Sequence, residues 1–131
     1  KSSLNAAKYV GKLAKDLRSK CTVTLISIHD DIGLGHVKQF VANSVIDDYL
    51  REVSEKELKG AQKALDAAGV KHSMVIKRGN VANEIIALAN KEKFDLIVMG
   101  SKGRTGILDA IMGSVAQKVS NAAKQAVLLI K

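Results

Sequence analysis

Four short runs dense in Val, Ile and Leu punctuate the chain, at residues 22–28, 72–77, 95–99 and 126–130. They are too short for buried helices and show little polar alternation, so they predict strands covered on both faces. Between them apolar residues recur at helical spacing. Leu4, Ala7, Val10, Ala14 and Leu17 form one stripe. Leu50, Val53, Ala61, Leu65 and Ala68 form a second, interrupted around Lys56 and Glu57 and stopped by Gly69. Ala82, Ile85, Ile86 and Ala89 make a third, and Leu108, Ile111, Met112, Val115, Val119 and Ala122 a fourth. All four stripes are expected in the core. Ser2 or Ser3 reads as the N-cap of the first helix. Helices alternating with buried strands predict an α/β fold built on a doubly wound parallel sheet.

Composition narrows this picture. A chain of 131 residues predicts a single domain over 1–131 with one substantial core. A hydrophobic content of 47% excludes a disordered chain. No apolar run approaches the roughly 20 residues that cross a bilayer, and residues 1–8 hold no apolar signal-peptide core. The one cysteine, Cys21, excludes an internal disulfide framework and reads as a small filler at a strand edge. These features predict a cytoplasmic protein without a membrane partner. The formal charge of +8 admits polyanion binding, but the lysines are scattered along helices. With two Tyr, two Phe and no Trp, the chain offers few stacking platforms, and no specific nucleic-acid partner is expected.

The densest chemical signal lies in the last third. A strand-like run, Phe94 to Met99, opens into Gly100-x2-Gly103-x9-Gly113-Ser114, and a helical segment follows from Val115. Glycines let backbone approach a ligand closely, and the unpaired N–H groups of a helix N-terminus favour anionic oxygens. The spacing is neither the Walker Gly-x4-Gly-Lys-Ser/Thr nor the dinucleotide Gly-x-Gly-x2-Gly. Within the loop Lys102 and Arg104 could neutralise phosphate charge, with Thr105 a weaker candidate. Ser114 can cap the last helix or offer its hydroxyl to a phosphate, two roles that share one location. His29, Asp30, Asp31 and His36 are metal-ligand types on a glycine-containing loop, but they lack regular spacing, so no dedicated metal site is assigned. His72, beside a strand start, reads as structural. No nucleophile and base are paired: Ser114 has no His placed to activate it, and Cys21 has no evident partner.

This motif, with its strand, resembles the universal stress protein family. Residues 78–86, beginning Arg78-Gly79-Asn80-Val81, are similar to the family's third βα junction, and residues 94–100 and 127–131 to its approach strand and closing strand. The resemblance spans nearly all of the chain. It implies a Rossmann-like fold of the adenine nucleotide alpha hydrolase type, and ATP as ligand, with Mg²⁺ held mostly by phosphates and water. Ile28 and Val81 would then lie near the base, Met99, Gly100 and Val115 near ribose and phosphate, and Lys102, Gly103, Arg104, Gly113 and Ser114 at the phosphates. The family also has an earlier strand ending in Asp-Gly-Ser, lying mid-sheet between the strands at 22–28 and 95–99. That strand is expected to lie outside the sequence given, and its nucleotide-contacting Asp has no counterpart here. Where the family often has proline, Asn80-Val81 and Gln125-Ala126 stand instead. The resemblance further implies a homodimer through the last strand, an unknown protein partner, and a role in stress response or signalling. ATP would be a bound regulator with at most slow hydrolysis, not the substrate of a dedicated enzyme. The alternative is a nucleotide-free interaction protein of the same fold.

Overall fold

The computed structural model describes residues 2–16, 21–29, 43–101 and 113–131. In chain order they form α1 (Ser2–Asp16), β1 (Val23–His29), α2 (Asn43–Ala67), β2 (His72–Arg78), α3 (Val81–Lys91), β3 (Leu96–Gly100), α4 (Ser114–Ala122) and β4 (Ala126–Ile130). β4 has the expected bounds, β1 and β3 sit one residue later, and β2 runs one residue longer. β1 and β2 pair in parallel from Val23↔His72 to His29↔Arg78. β3 and β4 pair in parallel from Leu96↔Ala126 to Gly100↔Ile130. Among the described residues the two pairs are separate, and no ladder joins β1 to β3. An intervening strand, as expected from the sequence, requires that arrangement.

Helices cover both faces. α1 packs on α2, and α3 on α4. α2 and α3 both reach the β1–β2 pair, while α1 lies on β3 and β4, and α4 on β4. Strands enclosed this way need apolar residues at both alternations, which is why their sequences read as continuous runs. Leu65 of α2 and Val119 of α4 are fully buried, one in each helical layer. Each contributes about 1.5–3 kcal/mol by leaving water.

The stripes hold with three corrections. α2 is not interrupted at Lys56 and Glu57. Its buried positions are Ile46, Leu50, Ser54, Ala61 and Leu65, and the polar Ser54 at an inward position breaks the apolar pattern without breaking the helix. Ala122 is exposed, because α4 ends there and the chain turns toward β4. Ser2 and Ser3 both lie inside α1 and so cannot be its cap. Leu4, in that first turn, sits against Gly60 of α2, where an added Cβ would be 3.3 Å from Leu4 Cδ1. Leu17, Leu108, Ile111 and Met112 fall outside the described residues.

Two helices end on left-handed residues. After α2, Gly69 has φ +70°. Its N–H donates to the Asp66 carbonyl at 3.0 Å, and Val70 N–H donates to Leu65 at 2.9 Å. After α3 the same pair of bonds forms around Lys93 (φ 55°), with Phe94 N–H donating to the Ala89 carbonyl at 3.0 Å. These bonds satisfy carbonyls that the helix leaves open.

α1 and α2 approach closely along small residues. A Cβ at Gly11 would lie 3.1 Å from Ala68 Cβ and 3.6 Å from the Ala64 carbonyl oxygen. Gly11→Val is therefore expected to force the helices apart and lower unfolding stability by about 1–3 kcal/mol. Urea denaturation measures this, and a loss under about 0.5 kcal/mol would contradict the close packing.

Candidate functional site

In parallel α/β folds, ligands gather where strands end and helices begin. Two such junctions lie side by side here. At the first, β2 passes into α3 through Gly79 and Asn80. Gly79 has φ +136°, and its N–H donates to the His29 carbonyl at 2.9 Å, tying the junction to the end of β1. A side chain there would be strained, and its Cβ would lie 3.0 Å from Glu84 Oε1. Asn80 is the N-cap of α3: its Oδ1 accepts from Asn83 N–H at 3.0 Å. Glu84 adds an acidic group to the first turn. The positive end of α3 is thus capped and compensated within the chain.

At the second junction, β3 leads to α4. Ser101 N–H donates to the Ile130 carbonyl at 2.8 Å, extending the β3–β4 pairing by a residue. The Ser101 carbonyl then accepts from Gly113 N–H at 2.7 Å, closing a stem with residues 102–112 between its sides. Gly113 is the N-cap of α4 and makes no side-chain cap bond, and the first turn of α4 holds no acidic residue. Its φ of −60° and ψ of 150° suit any residue. The backbone conformation at Gly113 therefore does not by itself require glycine.

Between the two N-termini lies a cleft of about 240 Å³ lined by Asn80, Val81, Ala82, Ser114, Val115 and Lys118. Of the residues singled out from sequence, Val81, Ser114 and Val115 meet here, with Gly113 adjoining. Gly100 ends β3 opposite Ile130, and Met99 lies one residue earlier opposite Leu129; neither lines the cleft. Ile28 is buried in β1 and does not line it either. Lys102, Gly103, Arg104 and Thr105 fall outside the described residues. Asn80, Ala82 and Lys118 are additions to the expected set. Asn80 was legible as a cap-type residue before an apolar helical stripe, and Lys118 as the residue one turn after Ser114.

A cleft of similar volume opens at the other end of the strands, lined by Ala14, Lys15, Cys21, Ala68, Gly69, Val70 and Lys71. There α1 and α2 end, so partial negative charge faces outward and the two lysines compensate it. At the α3–α4 cleft helices begin instead, and the N-terminal end of a helix favours negative charge.

His29 is tied to the second helix by a side-chain hydrogen bond. Its Nε2 lies 2.6 Å from Ser54 Oγ, which also accepts a bond from Ser27 Oγ at 3.2 Å. Ser27 and Ser54 are buried. Arg78 Nη1 meets Asp47 Oδ1 at 2.7 Å, so the ends of both β1 and β2 are tied to α2. Asp30, Asp31 and His36 lie outside the described residues, among which no group of three or more His, Cys, Asp or Glu could hold a metal. His72 pairs with Asp66 at 2.8 Å, an exposed contact with a structural role. No described helix is long and apolar enough to cross a membrane.

The family model described as "Universal stress protein family" matches residues 1–131. The chain is 34% identical over 130 residues to Universal stress protein MJ0531 of Methanocaldococcus jannaschii, covering 98% of this chain and 75% of that one. In three dimensions it is similar to protein MJ0577 of the same organism, with a TM-score of 0.82 and 27% identity over 97% of this chain and 85% of that one. It is also similar to a universal stress protein solved in complex with cAMP, with a TM-score of 0.56 and 25% identity over 98% of this chain and 86% of that one.

The Ser27–Ser54–His29 cluster yields a test of how the strand ends are held. Ser54→Ala removes the hydroxyl that both partners use and leaves a buried Ser27 hydroxyl and a ring nitrogen unpaired. The expected loss of stability is about 1–3 kcal/mol. Chemical denaturation checks it, and a variant as stable as the parent would show that the cluster does not hold β1 to α2.

Proposed function

Because the chain belongs to the universal stress protein family, we propose that it is an adenine-nucleotide-binding regulator or signalling component of the stress response. Its ligand is ATP accompanied by Mg²⁺, and it works in the cytoplasm. The observation that carries this reading is the cleft between α3 and α4. One helix N-terminus is capped and compensated from within, and the other, at Gly113 and Ser114, has no side-chain cap and no acidic first turn. A phosphate at the second would meet the outward N–H groups and the positive end of the macrodipole. The cAMP complex of a related protein supports an adenine nucleotide as the ligand class.

The phosphates sit at Gly113 and Ser114; the family resemblance adds Gly100, Lys102, Gly103 and Arg104 to the phosphate set, the last three lying outside the described residues. The nucleoside extends past Val81, Met99 and Val115 toward Ile28. Mg²⁺ rides on the phosphates and supplies charge neutralisation. ATP acts as a bound regulator. Hydrolysis, where it occurs, is slow: the described residues lining the cleft include no carboxylate and no histidine to orient a hydrolytic water. Ligand at the mouth of α4 biases the Ser101–Gly113 stem and so the surface that a partner protein meets. A second copy is one such partner: β4 pairs only with β3 among the described residues, and its other edge suits antiparallel pairing across a two-fold axis.

Two experiments test this reading. In the first, nucleotide released from the denatured, purified protein is identified by mass, and ATP is titrated into the protein and its variants. Gly113→Val places a branched side chain at the helix mouth in a backbone conformation that valine accepts. It is expected to abolish ATP binding while leaving the unfolding midpoint nearly unchanged. Ser114→Ala removes one hydroxyl and leaves the backbone donors, so it should weaken ATP by only about two- to twelvefold. Unaltered ATP affinity in Gly113→Val moves the ligand elsewhere and favours a nucleotide-free interaction protein. In the second, sedimentation at micromolar concentration is expected to show a dimer that Leu129→Lys dissociates. A monomeric parent, or a dimer that survives the substitution, contradicts pairing through β4.

A further inference from the structure

We propose that Lys118 reads the charge of the ligand in the α3–α4 cleft, pairing its ammonium with the anionic end of the bound nucleotide; the inference rests on the function proposed above. The polar side chains lining the cleft are Asn80, Ser114 and Lys118. Asn80 has committed its carbonyl oxygen to Asn83 N–H, so what it retains for a ligand is its N–H donors. Ser114 offers a hydroxyl, and the N-terminal backbone of α4 offers further N–H groups. Among the described residues that line the cleft none is a carboxylate. The cleft is thus rich in donors, and its complement is a group rich in acceptors and negative charge.

Lys118 supplies the full charge among these lining residues. It follows Ser114 by four positions on α4, which places the two on one helix face, a turn apart. Helical side chains lean toward the N-terminus, so the flexible stem of Lys118 extends over the turn that Ser114 begins. Among the described residues Lys118 forms no ion pair that would hold it elsewhere. It is exposed at the rim, where an ammonium stays hydrated until a ligand arrives. The consequence is discrimination by charge. An ammonium here favours a nucleotide with several phosphates over one with a single phosphate, and contributes little to a neutral nucleoside.

The test titrates ATP, AMP and adenosine into the parent protein, Lys118→Gln and Lys124→Gln in one buffer. Lys124 lies beyond the end of α4 and outside the cleft, and its loss changes net charge equally. Lys118→Gln is expected to weaken ATP about five- to tenfold, AMP less, and adenosine by under about twofold. Lys124→Gln should leave all three within about twofold, and thermal unfolding should show both variants folded. Equal losses for all three ligands, no loss for ATP, or the same loss in both variants would overturn the role of Lys118 while leaving nucleotide binding in place. A parent protein that binds none of the three ligands removes the nucleotide reading, and this inference with it.

Discussion

The hydrogen bond from Gly113 N–H to the Ser101 carbonyl, 2.7 Å long, sets where α4 begins. Ser101 is itself held by its N–H to Ile130, so the start of the helix is fixed to the end of the β3–β4 pair. Because Gly113 spends its own N–H on this bond, the outward donors are those of the residues that follow. Their direction is therefore tied to the sheet through Ser101. Across the cleft, Gly79 does the corresponding work by donating to the His29 carbonyl at the end of β1. Each helix mouth is thus anchored to one of the two strand pairs.

The two ends of the strands differ in electrostatics although they open clefts of similar volume. At one end α1 and α2 terminate, and Lys15 and Lys71 line the cleft where the negative ends of their macrodipoles lie. At the other end helices begin. α3 neutralises its own N-terminus with Asn80 and Glu84, whereas among the described residues α4 has no side-chain cap and no acidic first turn. That asymmetry gives a bound anion a direction: charge toward α4, and the less polar remainder toward Val81. A net charge of +8 adds general attraction for anions without specifying which end receives them.

Much of this was legible in the sequence because burial on both faces writes itself as continuous apolar runs. The strand at 126–130 was placed to the residue, and the other three within one position. The second helix was harder. Ser54 is buried by a hydrogen-bond cluster whose partners, Ser27 and His29, lie in another element, and no local pattern announces such a pairing. The same long-range bond turned His29, a metal-ligand type by composition, into a tether for α2. Of the site, Ser114 could be chosen from the glycine motif, whereas Val81 and Val115 were singled out by the family resemblance and would otherwise read as core residues. Asn80 and Lys118 became members only when α3 and α4 were brought together, since no spacing along the chain relates the start of one helix to the face of another.

The account stands on a nucleotide seated between the N-termini of α3 and α4. The most direct measurement is an amide chemical-shift map of the isotopically labelled protein during titration with ATP. The account predicts saturable shifts concentrated at residues 80–82 and 113–118, with the opposite cleft at Lys15, Cys21 and residues 69–71 unmoved. Shifts centred on that opposite cleft, or a spectrum that ATP leaves unchanged, would contradict it.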